Sequence, residues 1–261
     1  MFLVKFFWVC GEKYKFVIAF IYKILGSGLV KKIINTILKQ NTTLFGINPK
    51  VEKINVGFTN TIYNIDDSFI CKICIAMKCI HSNVGESYDW TKRIKEQFIS
   101  LYKKAKQLNV FSEEEQKLLD YTYTKFGNFL ESNDFVLIHN DLHFDNIFFN
   151  DGKIKLIDFE RSMYAPRDFE LDILYRMIRK PWKFASEETE PYTDLSDYSN
   201  IMSYIEKYYP ELVNIQNLYK RLAIYDIVYY LEHLIRHPDI EELKNDVLFA
   251  TKKVSLKDEI N

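Results

Sequence analysis

Among the side chains between residues 139 and 158, four stand at spacings suited to acid, base or metal chemistry: His139, Asp141, Asn146 and Asp158. They stand in His139-Asn140-Asp141-Leu142-His143-Phe144-Asp145-Asn146, then Ile147-Phe148-Phe149, Asn150-Asp151-Gly152, and a second apolar run ending in Asp158-Phe159-Glu160. A carboxylate and an amide oxygen are hard ligands of the kind Mg²⁺ accepts, and Mg²⁺ keeps further positions for phosphate oxygens and water. A separate carboxylate can meet a hydroxyl and take its proton. Transfer of a phosphoryl group needs both functions at once.

The elements that position these residues are legible nearby. Phe135–Ile138 is a short apolar run that reads as a buried strand entering the motif. Asp151-Gly152 is a strong two-residue hairpin signal that fixes register. If Asn150 faces Lys153, then Asn146 faces Ile157, and the hairpin gathers Asn146 and Asp158 at one end.

Further out, Val51–Val56 and Thr61–Ile65 read as strands, Asp66-Asp67-Ser68 as a turn, and Phe69–Ile75 as a third strand, together a small antiparallel sheet. Residues 31–40 carry helical spacing, as do Ile94, Phe98, Leu101, Ala105 and Leu108. Ser112 with Glu115 forms a capping-box start for a helix running to about Glu131. Leu218–Ile235 reads as a helix stopped by His237-Pro238.

The pattern His-x-Asp-Leu-His-x-x-Asn followed by Ile-Asp-Phe-Glu resembles the aminoglycoside phosphotransferase and choline kinase family. The resemblance is densest over residues 135–182 and extends over 90–250. It implies an α+β, protein-kinase-like fold: a small antiparallel N-terminal sheet plus a mainly helical C-terminal lobe containing the catalytic β-hairpin. It implies a nucleotide, ATP or GTP, as donor, Mg²⁺ as cofactor and a small-molecule hydroxyl as acceptor. Asp141 would be the base, His139 would brace the loop, and Asn146 and Asp158 would hold Mg²⁺. Asp168 or Asp172 would buttress the site, and His143 would either support it or simply pack.

In the N-terminal region Gly57-Phe58-Thr59-Asn60 resembles the nucleotide-covering loop, so Gly57 and Asn60 would bind nucleotide. Lys72, on the third strand, would contact phosphate. Cys79-Ile80-His81 resembles the helix end that leads into the large lobe. Only 67 positions separate Lys72 from His139, where the family places a helix, two strands and a hinge. The expected organisation is an apolar extension over 1–30, a truncated nucleotide-binding lobe over 31–80, and a helical catalytic and substrate-binding lobe over 81–261. Lys72 would then lack its usual Glu partner unless Glu86 or Glu96 supplied one. A kinase-fold binding protein without turnover is the alternative reading.

Composition narrows the rest. The formal net charge is −1, which gives no general attraction for nucleic acid or an anionic membrane. The apolar runs Met1–Cys10 and Phe16–Tyr22 fall short of the roughly 20 residues that span a bilayer. No small-residue cleavage site follows them, so they read as a lead-in to the domain, with a membrane-surface segment as the alternative. The four cysteines carry no secretory pattern, which points to a reducing cytoplasm. Cys71, Cys74, Cys79 and His81 match no common zinc spacing and read as small buried thiols.

For the acceptor, acidic Glu187, Glu188, Glu190, Asp194 and Asp197 would suit a polycationic aminoglycoside. Trp182, Phe184, Tyr192 and Tyr198 would instead suit a quaternary ammonium, or serve as core.

Overall fold

The computed structural model describes residues 18–21, 51–55, 60–65, 68–143, 146–150, 153–184, 190, 193–195 and 198–255. In chain order come β1 (Ile18–Ile21), β2 (Val51–Asn55), β3 (Asn60–Ile65), α1 (Ser68–His81), α2 (Trp90–Gln107) and α3 (Glu113–Leu130). They are followed by β4 (Phe135–Ile138), β5 (Ile147–Asn150), β6 (Lys153–Leu156), β7 (Met163–Pro166), α4 (Leu171–Arg179), α5 (Ile201–Tyr208), α6 (Leu218–Arg236) and α7 (Glu241–Ser255). This is the expected α+β class, a small antiparallel sheet with a mainly helical remainder. The helix expected over 31–40 and the turn residues Asp66 and Asp67 lie outside the described residues.

Two of the three sheet strands are those expected, and the third is not. β2 and β3 pair antiparallel with Asn55 opposite Thr61. The other neighbour of β3 is β1, with Ile18 opposite Tyr63. The third strand therefore comes from the apolar lead-in, not from Phe69–Ile75. That run is the start of α1, and Lys72 lies in a helix. The physical reason lies in the burial pattern further along. Ile73, Cys74, Met77 and His81 are buried while Ile75 and Cys79 are exposed, steps of one, three and four that only a helix puts on one face. A short apolar run rich in β-branched residues fits a strand equally well on composition, and it is the uninterrupted continuation to His81 that decides. The helix does end at His81, as the resemblance of Cys79-Ile80-His81 implies.

By compactness the chain divides into two units. One comprises residues 1–80, 141–161 and 176–210, and so takes in the N-terminal sheet, most of α1, the β5–β6 hairpin and α5. The other comprises 81–140, 162–175 and 211–261.

In this second unit α2, α3, α6 and α7 pack on one another. α3 begins as expected: the Ser112 side chain accepts from the Glu115 N–H, and the Glu115 carboxylate accepts from the Ser112 N–H at 2.7 Å. α6 is apolar on nearly every side because it is buried on nearly every side. His237 caps its end. Phe98 of α2 stacks on Tyr123 of α3 at 5.4 Å and meets Phe126 edge-on at 5.3 Å. Among the described residues no helix is long and apolar enough to cross a membrane.

Candidate active site

β4 delivers the chain to the motif, and it is gripped on both sides. β7 pairs with it antiparallel, Phe135 opposite Pro166 and Ile138 opposite Met163. On its other edge Gly85 N–H donates to the Phe135 carbonyl at 3.0 Å, and Leu137 N–H donates to the Asn83 carbonyl at 2.8 Å. Gly85 passes so close to β7 that an added Cβ would lie 2.2 Å from Tyr164 Cδ1. Phe135, Val136 and Ile138 are buried, as a strand paired on both edges under a helical body should be.

Beyond β4, His139 is fully buried and Asn140 turns into the left-handed region with φ 61°. Both backbone N–H groups are taken by the carboxylate of Glu170. His139 N–H donates to Oε2 at 2.7 Å, and Asn140 N–H donates to Oε1 at 3.1 Å. His81 Nε2 lies 3.1 Å from the same Oε2 and donates to it. Glu170 is buried, and a buried carboxylate has to be paired in this way to be tolerated. Sequence reasoning missed it. It sits between Asp168 and Asp172, the two carboxylates expected to buttress the site, and its only local signal is an acid preceding a helix, common at any helix start.

Asp168 does a different job. Its Oδ1 accepts from Arg221 Nη2 at 2.7 Å, and its Oδ2 accepts from Arg221 Nε and the Tyr225 hydroxyl, each at 2.8 Å. Trp90 Nε1 donates to the Tyr225 oxygen at 3.1 Å, and Arg221 Nη1 donates to the carbonyls of Phe129 and Glu131. Burial, reinforced by the Asp168 charge, pushes the Tyr225 phenol well above its usual range. Burial alone would lower the Arg221 guanidinium, but its bonds to Asp168 and Tyr225 outweigh that and raise it. Asp168 thus pins the 3-10 turn Arg167–Glu170 that carries Glu170. It acts two residues away from the carboxylate that touches the loop.

From Asp141 onward the bonds are local. The Asp141 carbonyl accepts from His143 N–H at 2.9 Å and from Asn146 Nδ2 at 2.9 Å. Asn146 N–H donates to the His143 carbonyl at 3.0 Å, and Asn146 Nδ2 lies 3.2 Å from His143 Nε2. His143 is therefore a partner of Asn146 and not mere packing.

The hairpin has the register that Asp151-Gly152 implies, Asn150 opposite Lys153 and Ile147 opposite Leu156. Ile157 N–H continues it, donating to the Asn146 carbonyl at 3.0 Å. Asp158 follows directly, exposed and left-handed at φ 62°, and the 3-10 turn Phe159–Arg161 leads away. Asp141, Asn146 and the backbone beside Asp158 are thus brought together.

Asn60 opens β3, Lys72 lies in α1, and Gly57 is outside the described residues.

The remaining expectations divide. Cys74 is buried, but Cys79 is exposed, against its reading as a buried thiol; neither is in a disulfide. No cluster of three His, Cys, Asp or Glu able to hold a metal occurs among the described residues. Tyr198 is core, and Glu190 and Asp194 are exposed.

Comparison with known proteins fits this picture. The family model described as the phosphotransferase enzyme family (APH) matches residues 86–193. No curated protein matches the chain. Among solved structures, ADP-bound aminoglycoside phosphotransferase APH(2'')-Ib aligns over 95% of this chain and 92% of its own, at 12% identity and a TM-score of 0.46. Choline kinase LicA from Streptococcus pneumoniae aligns over 95% and 89%, at 15% identity and a TM-score of 0.44. Amicoumacin kinase hAmiN, in complex with AMP-PNP, Ca²⁺ and Ami, aligns over 93% and 82%, at 15% identity and a TM-score of 0.41. The resemblance read from His139 to Glu160 is borne out: residues 86–193 carry the pattern of the phosphotransferase enzyme family.

Proposed function

We propose that the protein transfers a phosphoryl group from ATP or GTP to a hydroxyl of a small molecule, aminoglycoside-like or choline-like, in a reducing cytoplasm. One observation carries the reading. The hairpin register holds Asn146 opposite Ile157, so an amide and the Asp158 carboxylate stand at the same end of the hairpin that receives Asp141.

The donor set fits Mg²⁺. Asn146 turns its amide nitrogen to the Asp141 carbonyl, which leaves Oδ1 for a cation, and Asp158 offers an exposed carboxylate. Asn146 and Asp158 would hold the ion, which when bound neutralises charge on the phosphate oxygens of the donor.

Asp141, half-buried and fixed through its carbonyl, accepts the proton of the attacking hydroxyl. The hydroxyl oxygen forms a bond to the terminal phosphorus as the bond to the bridging oxygen breaks, and the nucleoside diphosphate leaves. His139 and Asn140, tethered by Glu170, keep the preceding backbone from drifting. Catalysis of this kind rests on positioning.

A second reading, a binding protein without turnover, draws on the placement of Lys72 in α1 and not on a sheet strand. Thermal shift with Mg-ATP and Mg-GTP, wild type beside Asp158→Ala, separates the two. The enzyme reading expects a shift that Asp158→Ala abolishes, together with turnover that Asp141→Asn removes while the shift remains. Absence of any nucleotide shift in the wild type overturns it. A shift without turnover against aminoglycoside or choline acceptors supports the binding protein.

A further inference from the structure

The Asn146 carboxamide has one permitted orientation. A backbone carbonyl only accepts hydrogen bonds, so the atom 2.9 Å from the Asp141 carbonyl oxygen is the amide nitrogen Nδ2, donating. The same Nδ2 lies 3.2 Å from His143 Nε2. Because the amide nitrogen is the donor, the ring nitrogen accepts, which puts the imidazole proton on Nδ1.

Both amide hydrogens are then used. Rotating the carboxamide by half a turn would set Oδ1 against the Asp141 carbonyl, two acceptors with no hydrogen between them, and would force the imidazole proton from Nδ1 to Nε2. Asn146 is only 5% exposed, so water has little access to repair such a mismatch. The backbone makes the contact a built one. His143 N–H donates to the same Asp141 carbonyl, and Asn146 N–H donates to the His143 carbonyl.

We propose that His143 is a positioning residue: its Nε2 locks the Asn146 carboxamide so that Oδ1 is the atom presented to the divalent cation. The cation half of this statement rests on the phosphotransfer reading, and the amide lock does not. Aligning a ligand through its outer partner is a general means of raising metal affinity. Here the ligand is an amide whose two ends differ in chemistry, so the lock decides which end faces the metal.

Two measurements test the two halves. The first is a ¹⁵N-resolved imidazole spectrum of the full chain, in which His143 is assigned among the five histidines by the signals lost in His143→Gln. The expected form carries its proton on Nδ1. A proton on Nε2 overturns the lock, whatever the protein does with nucleotide.

The second is Mn²⁺ affinity in the presence of ADP, read from the free Mn²⁺ resonance. His143→Phe keeps a ring but no acceptor and is expected to weaken Mn²⁺ by roughly tenfold. His143→Gln, whose Oε1 accepts the same N–H, is expected to recover most of that loss. In an Asn146→Ala background His143→Phe is expected to add nothing. Equal affinity in wild type and His143→Phe, or an undiminished further loss on top of Asn146→Ala, overturns the proposal. A wild type that binds no Mn²⁺ with ADP while showing the Nδ1–H form overturns the phosphotransfer reading and the cation half with it.

Discussion

The stretch around His139 and Asn140 and the stretch from Asp141 to Asp158 hold their backbones by opposite means. The first is held by a buried carboxylate whose partners are far away in sequence: Glu170 is 31 positions from His139 and 89 from His81. The second is held by neighbours, with Asn146 bonded to residues three, five and eleven positions away. In the first His139 is fully buried and Asn140 half-buried, while the second ends in the exposed side chains of Ile157, Asp158 and Phe159. Buried charges tolerate no loss of a partner, whereas the exposed carboxylate of Asp158 keeps its water. The difference separates backbone fixed by distant packing from backbone fixed by its own neighbours.

The comparison breaks most visibly at Asp168. Asp168→Ala leaves the Arg221 guanidinium buried beside no carboxylate, and we expect a loss of about 3–5 kcal/mol in urea unfolding. Asp158→Ala, by contrast, touches an exposed side chain, and its expected cost of about 1 kcal/mol comes only from holding alanine at a left-handed φ. Equal losses at the two positions would erase the distinction.

A smaller effect tests the grip on β4. Gly85→Ala puts a Cβ against the Tyr164 ring, and overpacking of this kind costs about 1–3 kcal/mol. The double variant with Tyr164→Ala should recover part of that loss, because the ring is what the methyl meets.

The smallest lies at the α3 cap, far from either stretch. Ser112→Ala should cost about 1 kcal/mol, and the contribution of Glu115 to the same cap should depend on pH. Burial alone would raise the Glu115 carboxyl, but the Ser112 N–H and Lys244 outweigh it and hold it below its ordinary value of 4.5. A depressed folded value means that the contribution of Glu115 is present above that ordinary value and is lost as pH falls through the lower folded one. Wild type and Glu115→Gln should therefore draw closer in stability in acid, which acid titration of the unfolding midpoint would show, while Ser112→Ala keeps the backbone N–H that Glu115 accepts.

What could be read from the sequence follows the same line. The hairpin register, the Ser112–Glu115 box and the span Leu218–Arg236 each have a local cause: a turn dipeptide, a cap four residues long, a continuous apolar period. Glu170 with His81, and Asp168 with Arg221, have none. Their partners are set by how elements pack, and a lone carboxylate beside Phe169 looks like any helix start. Phe69–Ile75 failed for another reason. Six apolar residues around one lysine serve a strand or a helix equally well, and the strand that actually completes the sheet, Ile18–Ile21, lies in a run that looked like a mere lead-in.

Asn140 and Asp158 share a backbone shape, φ 61° and 62°, which glycine, asparagine and aspartate enter with least strain. At each position the choice of residue is therefore narrowed by geometry before any chemistry applies. A library randomised at residue 140 and selected for folding alone should return asparagine, aspartate and glycine together. The same library at residue 158 should return that trio for folding but collapse to aspartate when selected for phosphoryl transfer. Backbone thus sets the shortlist at both places, and the reaction makes the final choice at only one of them.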